Sequence, residues 1–230
     1  MHSLTCSTVS LPSHLPRPRL RGLYVITDEK MGGGHLAIAR AALDGGAAIL
    51  QLRDKGSSLS RLLETARELR RLTRATRALF IINDRVDVAL AANADGVHLG
   101  PDDLPVAVAR RLLGPHRLVG ASCGDVAEAQ KAERAGADYI GAGAIFGTNT
   151  KHDAGAAIGL ATLRAITMAT SLPVAAIGGV NRDNIAATIA AGASLACVVS
   201  AVAGAGDAAA MSGATRALVR VITAAPGSGL

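Results

Sequence analysis

The chain has 230 residues, with 24 basic and 18 acidic side chains, 26 glycines and 8 prolines, and half of it is hydrophobic. Its aromatics are two Tyr and two Phe, too few for the stacking platforms of a single-strand nucleic-acid binder. No apolar run approaches the roughly 20 residues of a membrane-spanning helix, and the net charge of +6 suits nucleic acid, anionic membranes or phosphorylated small molecules as partners, or simply an arginine-rich surface. Cys6, Cys123 and Cys197 are odd in number and widely spaced, neither a disulfide framework nor a zinc signature. They point to a reducing compartment, hence to the cytoplasm.

The first segment, 1–21, holds no acid, several Ser and Thr, and Pro12, Pro16 and Pro18. It lacks the apolar core of a secretory signal; a transit peptide is the alternative to a disordered or loosely attached extension. From there the chain alternates. An apolar run at Leu23–Thr27 is followed by helical periodicity over Leu36–Leu43, a run at Ala48–Arg53 by the apolar stripe Leu59, Leu62, Leu63, Ala66, Leu69 and Leu72. Further runs at Leu79–Asn83, Gly96–Gly100, Leu118–Ser122, Tyr139–Gly143, Val174–Ile177 and Leu195–Ser200 are Val-, Ile- and Leu-rich, as in strands buried on both faces. Between them, Val106–Leu113, Val126–Ala135, Leu160–Ala169 and Asn184–Ala191 read as helices. Asp44-Gly45-Gly46-Ala47, Ala92-Asn93-Ala94-Asp95, Ala135-Gly136-Ala137-Asp138 and Ala191-Gly192-Ala193-Ser194 each precede a run, with Gly or Asn placed for a left-handed helix end. This pattern predicts an α/β fold, a single (β/α)8 TIM barrel over 22–224 with a flexible tail over 225–230. The alternative, an open doubly wound sheet binding a nucleotide, lacks its glycine fingerprint: Asp28-Glu29-Lys30 follows the first strand.

Polar residues gather at one rim, the carboxyl ends of the strands, where barrel enzymes keep their chemistry. Gln51 and Arg53 lie two apart, so both face the same way, and Lys55 and Lys151 follow on loops. Arg offers a planar fork to phosphate oxygens and Lys a point charge. Asp84 ends the third strand, and Asp102 and Asp103 follow the fourth, its expected neighbour. One or two carboxylates plus substrate phosphates is a usual way to hold Mg²⁺; for Asp102 an N-cap-like role before Leu104-Pro105 is the alternative. Ile177-Gly178-Gly179-Val180 and Val199-Ser200-Ala201 follow strands seven and eight, where this fold often binds phosphate. No persuasive nucleophile is present: Ser122 and Cys123 follow strand five with no histidine obviously placed to activate either. His98 reads as a barrel-core residue, Cys197 as packing, and His152 as a loop residue. A basic cluster, an acidic pair and a separate anion cradle imply two anionic substrates, one metal-bound.

These motifs together, Tyr24-Val25-Ile26-Thr27-Asp28, Gln51-Leu52-Arg53-Asp54-Lys55, Ile82-Asn83-Asp84-Arg85, Gly96 to Pro105, Thr148-Asn149-Thr150-Lys151, Ile177 to Val180 and Val198 to Ala201, resemble the thiamine-phosphate synthase family from about Leu23 to Asp207. The resemblance implies a transferase of thiamine biosynthesis. It joins 4-amino-2-methyl-5-hydroxymethylpyrimidine diphosphate to 4-methyl-5-(2-phosphoethyl)thiazole through a pyrimidine carbocation, with Mg²⁺ as cofactor. By matching position, Gln51 contacts the pyrimidine; Arg53, Lys55, Asn83 and Lys151 hold the diphosphate; Asp84 and Asp103 ligate Mg²⁺. Ser122 assists at the diphosphate, and Thr148, Thr150, Gly179, Val199 and Ser200 receive the thiazole phosphate. Lys151, Ser122 and Arg53 are the catalytic candidates. Two departures stand out: Ala144 replaces a family proline, which is expected to loosen the following loop, and Gly124 stands where the family often has histidine. The alternatives are a thiazole tautomerase-like isomerase, a non-catalytic ligand-binding homologue, or a phosphate-binding barrel of sugar or tryptophan metabolism. The partners implied are small molecules, with no nucleic acid or membrane; the sequence leaves a homo-oligomer open.

Overall fold

Short runs of branched apolar residues, buried on both faces, become the strands of a parallel barrel, and the amphipathic stretches between them become its outer ring. The computed structural model describes residues 20–148 and 155–225. Thr150, Lys151 and His152 therefore lie outside the described residues. Among the described residues eight strands are present: β1 Gly22–Thr27, β2 Ile49–Leu52, β3 Leu79–Asn83, β4 Gly96–Leu99, β5 Leu118–Cys123, β6 Tyr139–Ala142, β7 Val174–Ala176 and β8 Leu195–Val198. They pair in sequence order, all parallel, and β8 closes on β1. Around them run α1 His35–Asp44, α2 Leu59–Thr76, α3 Val86–Ala91, α4 Val106–Leu113, α5 Val126–Arg134, α6 Gly159–Ala169, α7 Ile185–Ala190, α8 Ser200–Ala203 and α9 Ala208–Ala224. The molecule is a (β/α)8 barrel.

Each strand alternates between two apolar layers. Leu23, Val25, Leu50 and Ile82 face the helices, whereas Tyr24, Ile26, Ile49, Ile81, Leu118, Tyr139, Leu195 and Cys197 fill the barrel interior. The alternation is hidden in the sequence because both sets are apolar. Leu20, assigned by sequence to the extension, is buried in the interior layer. Ala225, assigned to the tail, is buried against the outer layer.

The helix ends behave as their composition dictates. Gly46, Asn93, Gly136 and Gly192 adopt φ of 90°, 51°, 94° and 101°, the left-handed turn that lets a strand begin at once. Ser58, Asp125 and Asp207 cap α2, α5 and α9 by accepting from Arg61, Glu128 and Ala210 backbone N–H groups. Two readings need correction. Leu59 does not lie on the buried stripe of α2; it is the first helical residue, three positions before the stripe begins at Leu62, and is exposed. Asp102 does not cap α4, whose N-cap position is Pro105. The final helix, α9, was not read from the sequence. It buries Met211, Thr215, Leu218 and Ile222, spaced three or four apart, and packs against α1, α7 and α8.

Candidate active site

A cavity of about 180 Å³ opens at the carboxyl ends of the strands. Among the residues assigned by sequence, Gln51, Arg53, Asn83, Ser122, Thr148, Gly179, Val199 and Ser200 line it. The β2 register explains the first two: Ile49 is an interior residue, so Gln51 and Arg53, two and four positions on, face inward as well. Gln51 is buried, and its Nε2 donates to the Tyr24 hydroxyl at 2.6 Å. Arg53 makes no hydrogen bond or ion pair with any described residue, so its guanidinium fork is available to a ligand.

Beside the cavity, the loops after β2, β3 and β4 bring Lys55, Asp84 and Asp103 together. Asp84 leaves β3 in a left-handed turn, φ 63°, with its N–H bonded to the His98 carbonyl at 2.8 Å. That turn aims its carboxylate toward Asp103, close enough for a carboxyl–carboxylate hydrogen bond, while Lys55 Nζ lies 3.5 Å from Asp84 Oδ2. Burial, then the Asp103 charge, pushes the Asp84 carboxyl up to about 6, against the pull of Lys55. Asp103 Oδ2 accepts from the Gly100 N–H at 2.7 Å, which holds its side chain in place. No cluster of three or more His, Cys, Asp or Glu side chains suited to a metal occurs among the described residues. A pair of carboxylates is the donor set Mg²⁺ accepts when phosphates and waters complete its shell, so these two residues fit that ion.

The opposite wall is the Gly178-Gly179 turn after β7 and the Val199-Ser200 start of α8. Both glycines have positive φ, 95° and 66°. A Cβ on Gly178 would stand 2.5 Å from Ala144 Cβ, and one on Gly179 2.6 Å from the Gly147 carbonyl. The glycines therefore admit the loop after β6 against the β7 turn. The start of that loop is held by backbone hydrogen bonds, whereas the 148–151 stretch that Ala144 is expected to loosen lies, from 149 on, outside the described residues. Ile145 and Phe146 N–H bond to the Ile177 and Gly178 carbonyls at 2.8 and 2.9 Å, and the Ala144 carbonyl accepts from Ile158 at 2.8 Å.

Sequence reasoning missed the floor of the cavity. Ser122 and Cys123 do not follow β5; they lie within it. His98, set aside as a core residue, lines the cavity and bonds Ser122 Oγ through Nε2 at 3.0 Å. A histidine is thus beside Ser122 after all. Its other nitrogen meets the Tyr139 hydroxyl at 3.1 Å, a phenol rather than the carboxylate of a hydrolytic triad. Tyr139 in turn lies 3.0 Å from the Tyr24 hydroxyl. Burial pushes both phenols above their ordinary range, so both remain neutral. The signal was the register: Tyr24, His98 and Tyr139 occupy inward strand positions. Cys197, expected to pack, is buried in β8.

A parallel barrel with a basic group, paired carboxylates and a glycine-walled cavity at the carboxyl ends of its strands has the make-up of a phosphate-handling enzyme. Residues 23–202 match the family model described as Thiamine monophosphate synthase. The chain is 52% identical over 207 residues to the thiamine-phosphate synthase of Moorella thermoacetica, covering 89% of this chain and 97% of that relative. It is 52% identical over 201 residues to that of Chloroflexus aurantiacus, covering 86% and 93%. Thiamine phosphate pyrophosphorylase from Pyrococcus furiosus superposes with a TM-score of 0.82 at 42% identity, over 90% of this chain and 97% of that one. The chain belongs to the thiamine monophosphate synthase family. It is a transferase of thiamine biosynthesis that forms thiamine phosphate, and the isomerase and non-catalytic alternatives are not favoured.

Proposed function

We propose that the cavity condenses 4-amino-2-methyl-5-hydroxymethylpyrimidine diphosphate with 4-methyl-5-(2-phosphoethyl)thiazole. The observation that carries this reading is the convergence of Gln51, Arg53, Asn83 and Ser122 with the β7 and β8 loops on one cavity, the Asp84–Asp103 pair standing beside it. Gln51 faces the pyrimidine. Arg53, Lys55, Asn83 and Lys151 hold the diphosphate, with Ser122 donating to one of its oxygens. Thr148, Thr150 and the Gly179, Val199 and Ser200 backbone take the thiazole phosphate. The methylene C–O bond breaks, and its electron pair leaves with the diphosphate. The thiazole nitrogen lone pair then closes the C–N bond on the pyrimidine cation, so no protein nucleophile is needed. The protein contributes alignment, charge opposite the leaving group and exclusion of water. Asp84 and Asp103 would hold Mg²⁺, which when bound supplies further positive charge at the diphosphate.

No described helix is long and apolar enough to cross a membrane, and Cys123 and Cys197 are free thiols; a cytoplasmic location, with small molecules as substrates, is part of the same proposal. The test is direct. Purified protein given both substrates and Mg²⁺ should yield thiamine phosphate and diphosphate in equal amounts, and chelation should stop it. No product under these conditions would overturn the reading.

A further inference from the structure

Five side chains from five strands form one unbroken hydrogen-bonded line across the cavity floor: Gln51, Tyr24, Tyr139, His98 and Ser122. Room for it is built into the neighbouring strands. A Cβ on Gly120 would stand 2.1 Å from Tyr139 Cζ, and one on Gly141 2.7 Å from His98 Cε1. Both positions accept only glycine while these rings fill the interior.

The line has a direction. Gln51 Nε2 can only donate, so the Tyr24 oxygen accepts and its own proton goes to Tyr139. The Tyr139 oxygen then accepts, and its proton goes to His98 Nδ1. The ring proton therefore sits on Nε2 and is donated to Ser122 Oγ. A doubly protonated ring would break the sequence, because the buried Tyr24 proton would lose its acceptor. The two ends now differ. Ser122, exposed in the cavity, keeps its own proton to donate. Gln51 keeps its carbonyl oxygen and one N–H.

Resting on the reading that Gln51 faces the pyrimidine, we infer that Tyr24, Tyr139 and His98 are positioning residues that lock the Gln51 amide, and so select a 4-aminopyrimidine over its 4-oxo counterpart. An aminopyrimidine edge offers an amine donor beside a ring-nitrogen acceptor, the complement of the locked carbonyl and N–H. The 4-oxo edge offers the reverse, an acceptor beside an N–H donor. Meeting it requires the amide to turn over, and then every hydrogen bond as far as Ser122 must reverse. A site whose buried polar groups are set for one pattern rejects the other strongly. The same direction delivers the Ser122 proton toward an anionic oxygen at the far end.

The test compares kcat/KM for the 4-amino and 4-oxo pyrimidine diphosphates in wild type, Tyr139→Phe and Tyr24→Phe. Comparing ratios across proteins cancels the intrinsic difference in reactivity. The ratio should fall at least about tenfold in each variant, with the thermal midpoint showing that the variant is folded; either variant suffices if the other fails to fold. An unchanged ratio in a folded, active variant overturns the inference and leaves the reaction standing. A wild type that makes no thiamine phosphate from the amino substrate overturns both.

Discussion

The two mouths of the barrel use the same residue types in opposite ways. At the strand entrances, Asp95 receives a bidentate grip from Arg70 at 2.7 and 2.8 Å and a third bond from the Phe80 N–H at 2.7 Å. Asp138 is held by Arg110 and by the Val119 N–H, and Arg110 also donates to the Gly136, Gly114 and Arg117 carbonyls. These carboxylates clamp neighbouring strands in register. At the exits, Asp84 meets another carboxylate and a lysine no nearer than 3.5 Å, and Arg53 has no partner among the described residues. A satisfied charge is structure; a charge without such partners, in a cavity or at its edge, is a candidate for ligand binding.

Breaking the exit rim should cost activity without stability. Asp84→Asn combined with Asp103→Asn should lower turnover about a thousandfold and abolish its Mg²⁺ dependence, read from initial rates across a Mg²⁺ titration. If Lys151 serves the departing diphosphate as proposed, Lys151→Ala lowers kcat about a hundredfold while thiazole phosphate binding changes little; equal losses in both remove it from that role. Breaking the entrance rim should do the reverse. Asp138→Asn leaves Arg110 uncompensated and should cost about 2–4 kcal/mol in urea denaturation, with kcat at saturating substrate unchanged in the folded fraction. Lys55→Ala sharpens the contrast: its side chain is 56% exposed, so its loss should alter stability by under about 0.5 kcal/mol while, on the proposed reading, weakening diphosphate binding. The smallest effect concerns the cysteines. Burial, reinforced by Glu128 and Asp125, pushes the Cys123 thiol up to about 12. Iodoacetamide should therefore leave Cys123 unmodified until denaturant is added, and mass spectrometry of the digested protein reads this.

Much of this arrangement is legible along the chain. The predicted helix Val106–Leu113 matches α4 residue for residue, and the others agree within a few positions. Gln51, Arg53, Asn83, Gly179 and Ser200 end strands or begin the loops after them, so position in the alternation alone carries them to one mouth. Gaps in the sequence reading have physical causes. α9 is Ala-rich at its start, and its apolar spacing has no strand after it to complete the alternating pattern. Leu20 resembles any residue of a Pro-rich segment until the interior it fills exists. The His98–Ser122 pair joins residues 24 apart on adjacent strands, and Tyr24–Tyr139 residues 115 apart; neither leaves a local pattern.

What the sequence by itself determined was periodicity: strand after helix, glycine at each helix end, polar groups at each strand exit. These follow from local backbone preference and from which residues can be buried. Closure of the barrel decided which inward side chains meet, how closely carboxylates approach, and which way a line of protons runs. Such properties depend on distances between residues that only the assembled interior brings within a few ångströms.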